Sequence, residues 1–231
     1  MKPIYVPRGK AKEYGDYALN IYTGCPHRCY YCFAPAVLRK DREAFHSNVQ
    51  PREGIVEATA KQIEREGITD KLIHLCFTCD PYPTGYDSTA TREIIKVLKG
   101  SGNHVQILTK GDGSRDFDLL DKNDWYGITS TGAVHDTQEP GTVREKNRFE
   151  IMQMAPCHKW VSFEPVIQPC YVLTSLTVID TNVRVKIGKL NYWPSTIDWK
   201  WFGEKAERIC RARGLDYYIK DSLRKEMEKK A

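Results

Sequence analysis

YALNIYTGCPHRCYYC, residues 17–32, runs from a β-like segment straight into a loop that carries three of the chain's eight cysteines. Residues 17–23 read as a first strand. Cys25, Cys29 and Cys32 follow at once with the spacing C-x3-C-x2-C. The thiols therefore sit where the strand ends, which in parallel α/β folds is the edge where reactive groups collect.

Outward from this junction, strand-like and helix-like segments alternate. Residues 53–66 predict a helix stopped by Gly67, 71–78 a second strand, and 88–99 a helix ended by Gly100. Residues 104–109 predict a third strand, 116–122 a short helical turn, and 125–131 a fourth strand. A helix over 141–154, a strand over 159–164, a short helix near 169–176, a strand over 183–189 and a long helix over 196–212 complete the series. Six β-then-α units imply parallel strands with right-handed crossovers. They are too few to close an eight-stranded barrel, so the expected fold is α/β, an open partial (β/α)6 barrel with helices outside. No linker, low-complexity tract or fixed-period repeat interrupts the pattern. A single domain over 1–231 is expected, its core at about 17–213, with an N-terminal extension and a C-terminal helical tail.

The chain has 231 residues, 41% hydrophobic and 28% charged, a globular composition rather than a disordered one. No stretch is long enough for a membrane span, and the start, MKPIYVPRGK, lacks the apolar core of a signal peptide. A cytoplasmic location is expected. Thiols stay reduced there, so eight cysteines argue for metal or redox chemistry before a disulfide framework. The formal net charge of +5 permits a nucleic-acid partner without requiring one. Arg28, Arg39, Lys40, Arg42 and Arg52 cluster in or after the cysteine loop, and a solvated surface accounts for them more readily than a ligand does. Residues 220–230, KDSLRKEMEKK, read as an exposed final helix.

Thiolates are soft ligands suited to zinc or to iron–sulfur clusters. Three on one loop can grip three irons of a [4Fe–4S] cubane and leave the fourth iron open. Zinc is the alternative, because Cys29-x2-Cys32 and Cys76-x2-Cys79 formally make a paired CxxC set. Such pairs sit on zinc ribbons, however, and Cys76 lies inside a predicted strand.

The spacing, its place after the first strand and an aromatic residue, Tyr31, before the last cysteine resemble the radical S-adenosylmethionine (AdoMet) enzymes. The turns FTCDPYPTG (77–85), LTKGDGSRDFDLL (108–120), ITSTG (128–132), SFEPVI (162–167) and KIGKLNY (186–192) narrow this. In order, over about 170 residues, they resemble the spore-photoproduct-lyase-like group of DNA repair photolyases. The resemblance implies a [4Fe–4S] cluster on Cys25, Cys29 and Cys32, with AdoMet chelated at the open iron. Reduction then cleaves its C5′–S bond to methionine and a 5′-deoxyadenosyl radical. An external electron donor of the flavodoxin or ferredoxin type is implied, and a nucleic-acid base or lesion is a possible substrate.

Alternation within the strands supplies site candidates. In strand two Ile73, Leu75 and Phe77 should face the helices, while His74, Cys76, Thr78 and Asp80 point into the barrel. Asp80 at the mouth could accept from the AdoMet amino or ribose groups, or merely cap an Asp-Pro turn. Lys110 shares the parity of Gln106 and Leu108, and by resemblance its cation suits the AdoMet carboxylate. Gly127, Thr129 and Thr131 should face inward, the glycine leaving room for a ligand and the Thr129 hydroxyl able to bond that carboxylate. Glu164 is an inward acid, for ligand or for structure. Tyr31 and Thr78 complete the candidate cofactor contacts. The resemblance also implies a cysteine near the end of strand two that returns a hydrogen atom; its position falls on Phe77 here, so Cys79 is the candidate hydrogen donor. Cys157, Cys170 and Cys210 show no spacing signal and read as structural thiols. Two competing functions remain: a radical AdoMet enzyme acting on a peptide or small metabolite, and a non-enzymatic zinc module for nucleic acid.

Overall fold

A computed structural model of the chain describes residues 2–133 and 137–229. Its strands are β1 (Tyr17–Leu19), β2 (Leu72–Leu75), β3 (His104–Thr109), β4 (Trp125–Thr129), β5 (His158–Phe163), β6 (Val183–Ile187) and β7 (Tyr217–Ile219). The helices are α1 (Ala34–Leu38), α2 (Arg42–Ser47), α3 (Ile55–Glu66), α4 (Thr89–Gly100), α5 (Glu145–Met154), α6 (Pro169–Val178), α7 (Trp199–Arg213) and α8 (Asp221–Met227). Two 3-10 turns, Gly9–Tyr14 and Ser114–Leu119, supplement them.

All seven strands pair in parallel, in the order β1 to β7, and the sheet curls into a half-barrel with helices around it. The expected open barrel is therefore present, with one strand more than the six read from the sequence. Tyr217–Ile219 is too short to carry a periodic signal, but it docks on β6 in the register Val185 to Tyr217. The cost of missing it is local: β7 is what delivers Lys220 into the barrel.

The two faces of the sheet separate by chemistry. Ile73, Leu75, Val105, Ile107, Tyr126, Ile128, Val161, Phe163, Val185 and Ile187 are essentially inaccessible and pack under the helices. Each such apolar side chain contributes about 1.5–3 kcal/mol by leaving water. The opposite face carries His74, Gln106, Trp160, Ser162 and Lys186. Tyr14, on the N-terminal 3-10 turn, plugs this interior. Its ring lies 5.5 Å from His74, 5.7 Å from Phe77 and 6.0 Å from Trp160.

Two readings of the sequence, the parity beyond β2 and the ligand space at the inward-facing Gly127, fail here for identifiable reasons. β2 stops at Leu75 because Cys76 adopts left-handed backbone (φ +70°), which reverses the inside–outside parity beyond it. Cys76 thus joins the helix-side core, and Phe77 instead stacks on His74 inside the barrel at 4.3 Å and 24°. At Gly127 the space is not kept for a ligand. A Cβ there would collide with the Trp160 indole, whose Nε1 donates to the Ile107 carbonyl at 2.9 Å.

Candidate active site

The cysteine loop is held from two sides. Gly24 lets the chain pass so close to the carbonyls of Phe45 in α2 and of Asn48 just after it that any Cβ would meet backbone oxygen. From the same helix Arg42 donates to the carbonyls of Cys29 (2.6 Å), Tyr30 (2.9 Å) and Cys32 (3.2 Å). His46 Nδ1 lies 2.7 Å from the Cys25 carbonyl. Of the basic residues flagged in the sequence, Arg42 is thus a clamp on the loop. Arg28 pairs with Glu43, and Lys40 donates to the Thr23 carbonyl at 2.8 Å.

Cys29 is buried, Cys25 and Cys32 partly so. Burial raises all three thiols above their ordinary range, Cys29 to about 11 even though the Lys110 cation pulls it down. Metal loading here must therefore displace three protons. The three sulfurs do not all lie within 4.8 Å of one another. Thiolates around one zinc ion at a Zn–S distance of about 2.3 Å lie only about 3.8 Å apart. Cys76 and Cys79 are not gathered with them either: Cys79 Sγ accepts from the Tyr22 N–H at 3.4 Å, beside Cys76. Among the described residues, the set that meets the 4.8 Å limit is His104, Asp121 and Asp124. There the Lys99 ammonium, 2.6 Å from both carboxylates, supplies the countercharge.

Beside Cys29 lies a buried polar group that links β3, β4, α5 and the loop. Tyr31 donates its hydroxyl to Glu139, which also takes Arg148 Nη2 at 2.8 Å. Arg148 Nη1 donates to the Thr129 carbonyl at 2.5 Å. Lys110 Nζ lies 5.5 Å from the centre of the Tyr31 ring. Burial opposes its charge, yet Cys29 and Glu139 outweigh that and raise its pKa. Among the described residues Lys110 Nζ has no carboxylate at ion-pair distance. Sequence reading missed Glu139 and Arg148, which lie in a loop and a helix without a motif. Their mutual need shows only once both are buried.

Asp80 sits between His27 and β3. Its Oδ1 accepts from Tyr82 N (2.9 Å) and Thr109 Oγ1 (2.5 Å), and its Oδ2 from Lys110 N (2.8 Å). His27 Nδ1 is 3.4 Å away, and its Nε2 accepts from Thr84 N at 3.3 Å. Burial lowers the His27 pKa against the pull of Asp80. This carboxylate braces the lysine's backbone. Glu164 is similarly occupied, accepting from Tyr14 (2.8 Å), Asn191 (3.0 Å) and Lys220. Thr78 differs: its Oγ1 is buried without a hydrogen-bond partner among the described residues.

At the rim, Tyr192 is 74% and Trp193 41% exposed. Tyr30 meets Trp193 edge-on at 5.9 Å, and Lys10 lies 4.6 Å over Tyr192. Tyr192, Trp193 and Lys10 border a groove of about 960 Å³ whose lining mixes Lys189 and Lys225 with Glu13, Asp221 and Glu226.

No family model and no curated protein matches the chain. Solved structures do. A cysteine-to-serine variant of spore photoproduct lyase superposes with a TM-score of 0.68 at 12% identity, covering 94% of this chain and 79% of that one. A variant of the same enzyme with bound AdoMet and dinucleoside spore photoproduct gives 0.67 at 12%, covering 93% and 79%. The open parallel barrel is thus shared with the group that the sequence motifs resemble: the chain has the fold of spore photoproduct lyase.

Proposed function

We propose that the chain is a radical AdoMet enzyme, with Cys25, Cys29 and Cys32 holding a [4Fe–4S] cluster and AdoMet at its open iron. The observation that carries this reading is the three-thiol loop at the C-terminal edge of an all-parallel half-barrel, beside a lysine ammonium that has no acid at ion-pair distance among the described residues. The donors fit: soft sulfurs for iron, a cation for a carboxylate, and the unpartnered Thr78 hydroxyl for a polar ligand. When bound, the two cofactors supply reductive cleavage of the C5′–S bond to methionine and a 5′-deoxyadenosyl radical. An external donor of the flavodoxin or ferredoxin type supplies the electron.

This chain's residues then have distinct tasks. Lys110 neutralises the AdoMet carboxylate, with the Thr129 hydroxyl assisting, and Tyr31 walls the site from the loop side. Asp80 fixes the Lys110 backbone, and Glu164 keeps Tyr14 seated, so both act through neighbours. Tyr14, His74, Phe77 and Trp160 fill the barrel beneath and exclude water. The substrate is a nucleic-acid base, taken at the rim by stacking on Tyr192 and Trp193 with lysines near the phosphates. The lyase neighbour that binds a dinucleoside supports this choice.

Anaerobic reconstitution with iron and sulfide, followed by an assay for 5′-deoxyadenosine under dithionite, tests the reading. A brown protein that forms 5′-deoxyadenosine, faster with oligonucleotide, is expected. A colourless protein with stoichiometric zinc overturns it, as does full activity in Cys29→Ala. Cleavage indifferent to oligonucleotide overturns the substrate alone and favours a peptide or small metabolite.

A further inference from the structure

We propose that Cys76 and Cys79 form a redox-active dithiol, a site separate from the cysteine loop, that thiol–disulfide exchange closes to an intrachain disulfide. Three observations converge on it. The spacing C-F-T-C places the two thiols a single turn apart, immediately after β2. Cys76 holds left-handed backbone (φ +70°), uncommon for a residue with a Cβ, and this turns its side chain to the helix side, where Cys79 also packs. The two thiols lie near enough for each to shift the other's acidity, and Cys79 Sγ accepts from the Tyr22 N–H at 3.4 Å.

That geometry assigns the roles. Cys79 is partly exposed and Cys76 is buried. Burial raises both thiols. At Cys79 it is outweighed by the neighbouring Cys76 thiol, the Tyr22 and Ile21 backbone and the Arg52 charge, so that its pKa falls below the ordinary value. Cys76, buried and facing a neighbouring thiolate, is pushed well up. Attack by a thiolate on a disulfide requires the more acidic thiol to be the accessible one, and Cys79 is both.

The reaction balances with a low-molecular-weight disulfide such as oxidised glutathione. Cys79 thiolate attacks one sulfur, breaking the S–S bond and releasing one glutathione thiolate. The Cys76 thiol then loses its proton and attacks Cys79 Sγ, expelling the second glutathione. Two electrons pass from the cysteine pair to the oxidant. Closure takes the Cys79 sulfur away from Tyr22 N and tightens the turn whose next residue, Asp80, braces Lys110. The inference does not depend on the radical chemistry and can be tested on metal-free protein.

Trypsin cleaves after Lys71 and Arg92, so Cys76 and Cys79 share one peptide, 72–92, free of the other cysteines. The folded, metal-free chain is equilibrated anaerobically in glutathione redox buffers, acid-quenched, alkylated and digested. Peptide 72–92 is expected to lose both alkylation sites together and two mass units, under buffers in which Cys157 and Cys210 stay alkylated. Brief labelling of the reduced protein with iodoacetamide at neutral pH is expected to modify Cys79 at least ~10-fold faster than Cys76. In Cys76→Ser, glutathione should stay trapped on Cys79. A peptide that remains doubly alkylated, that stops at a mixed disulfide, or that cross-links to another cysteine overturns the proposal. So do equal labelling rates, and none of these results bears on the cluster.

Discussion

Replacing Arg148 by methionine tests whether the buried group beside Cys29 is one electrostatic unit. Arg148 and Glu139 have side chains 2% and 4% exposed, joined at 2.8 Å. Without the guanidinium, Glu139 keeps the Tyr31 hydroxyl and the more distant Lys110 charge, and the Thr129 carbonyl loses its donor. Removing one partner of such a buried pair costs about 3–5 kcal/mol, chiefly the unpaired charge left behind. With a urea slope of about 2–3 kcal/mol per M, the midpoint should fall by about 1–2.5 M. The pH dependence carries the sign. In the native chain burial pushes the Glu139 pKa up, but Arg148, Lys110 and Tyr31 together hold it below its ordinary value. Its contribution is therefore present above the unfolded carboxylate pKa, about 4.3, and is lost as pH falls through the folded value. In Arg148→Met burial prevails and the folded pKa rises above the unfolded one, so acidification restores stability. The deficit should be largest near neutrality and shrink towards pH 5, and Glu139→Gln added to Arg148→Met should recover a substantial part of it. Urea unfolding of the three proteins from pH 5 to pH 8 is the assay. A loss under about 1 kcal/mol, or a deficit that deepens on acidification, refutes the reasoning.

Lys110→Met should weaken AdoMet binding by about 10-fold or more, the value of a charge-assisted bond of about 1.5–3 kcal/mol, with little change in thermal midpoint; equilibrium dialysis reads it. Arg42→Ala removes the donor to three loop carbonyls, and after reconstitution should lose iron to a chelator several-fold faster than the unaltered chain. Gly127→Ala places a methyl against the Trp160 indole and should cost about 1–3 kcal/mol, with a changed near-ultraviolet tryptophan signal; an unaltered melting curve contradicts the packing. Burial first, with Lys220 and Arg184 adding repulsion, lowers the Lys186 pKa to about 8. The folded chain therefore binds fewer protons than the unfolded one between about 8 and lysine's ordinary value of about 10.4, so stability should rise across that window. Lys186→Met should flatten that rise in pH-dependent unfolding.

Alternating apolar and polar residues, helix stops such as Gly67 and the C-x3-C-x2-C spacing are local statements, and each can be read along the chain. A run of strand and helix signals leaves few topologies, because parallel crossovers are right-handed and short. That is why the open parallel barrel and the location of the thiol loop were legible without coordinates. Parity within β2 was legible only as far as Leu75. The left-handed turn at Cys76 has no signature in a cysteine, and it reversed the sides assigned to Cys76 and Phe77.

What the three-dimensional arrangement alone supplied is the set of partners. Whether an acid such as Asp80 or Glu164 is free for a ligand depends on which donors surround it, and those come from residues up to about 150 positions away. The same holds for Arg148, an ordinary helix residue until burial obliges it to find Glu139 and the Thr129 carbonyl. Backbone preferences and periodicity act over a few residues and so are written in order along the chain. Desolvation and charge act through space, and only folding decides which groups must satisfy one another.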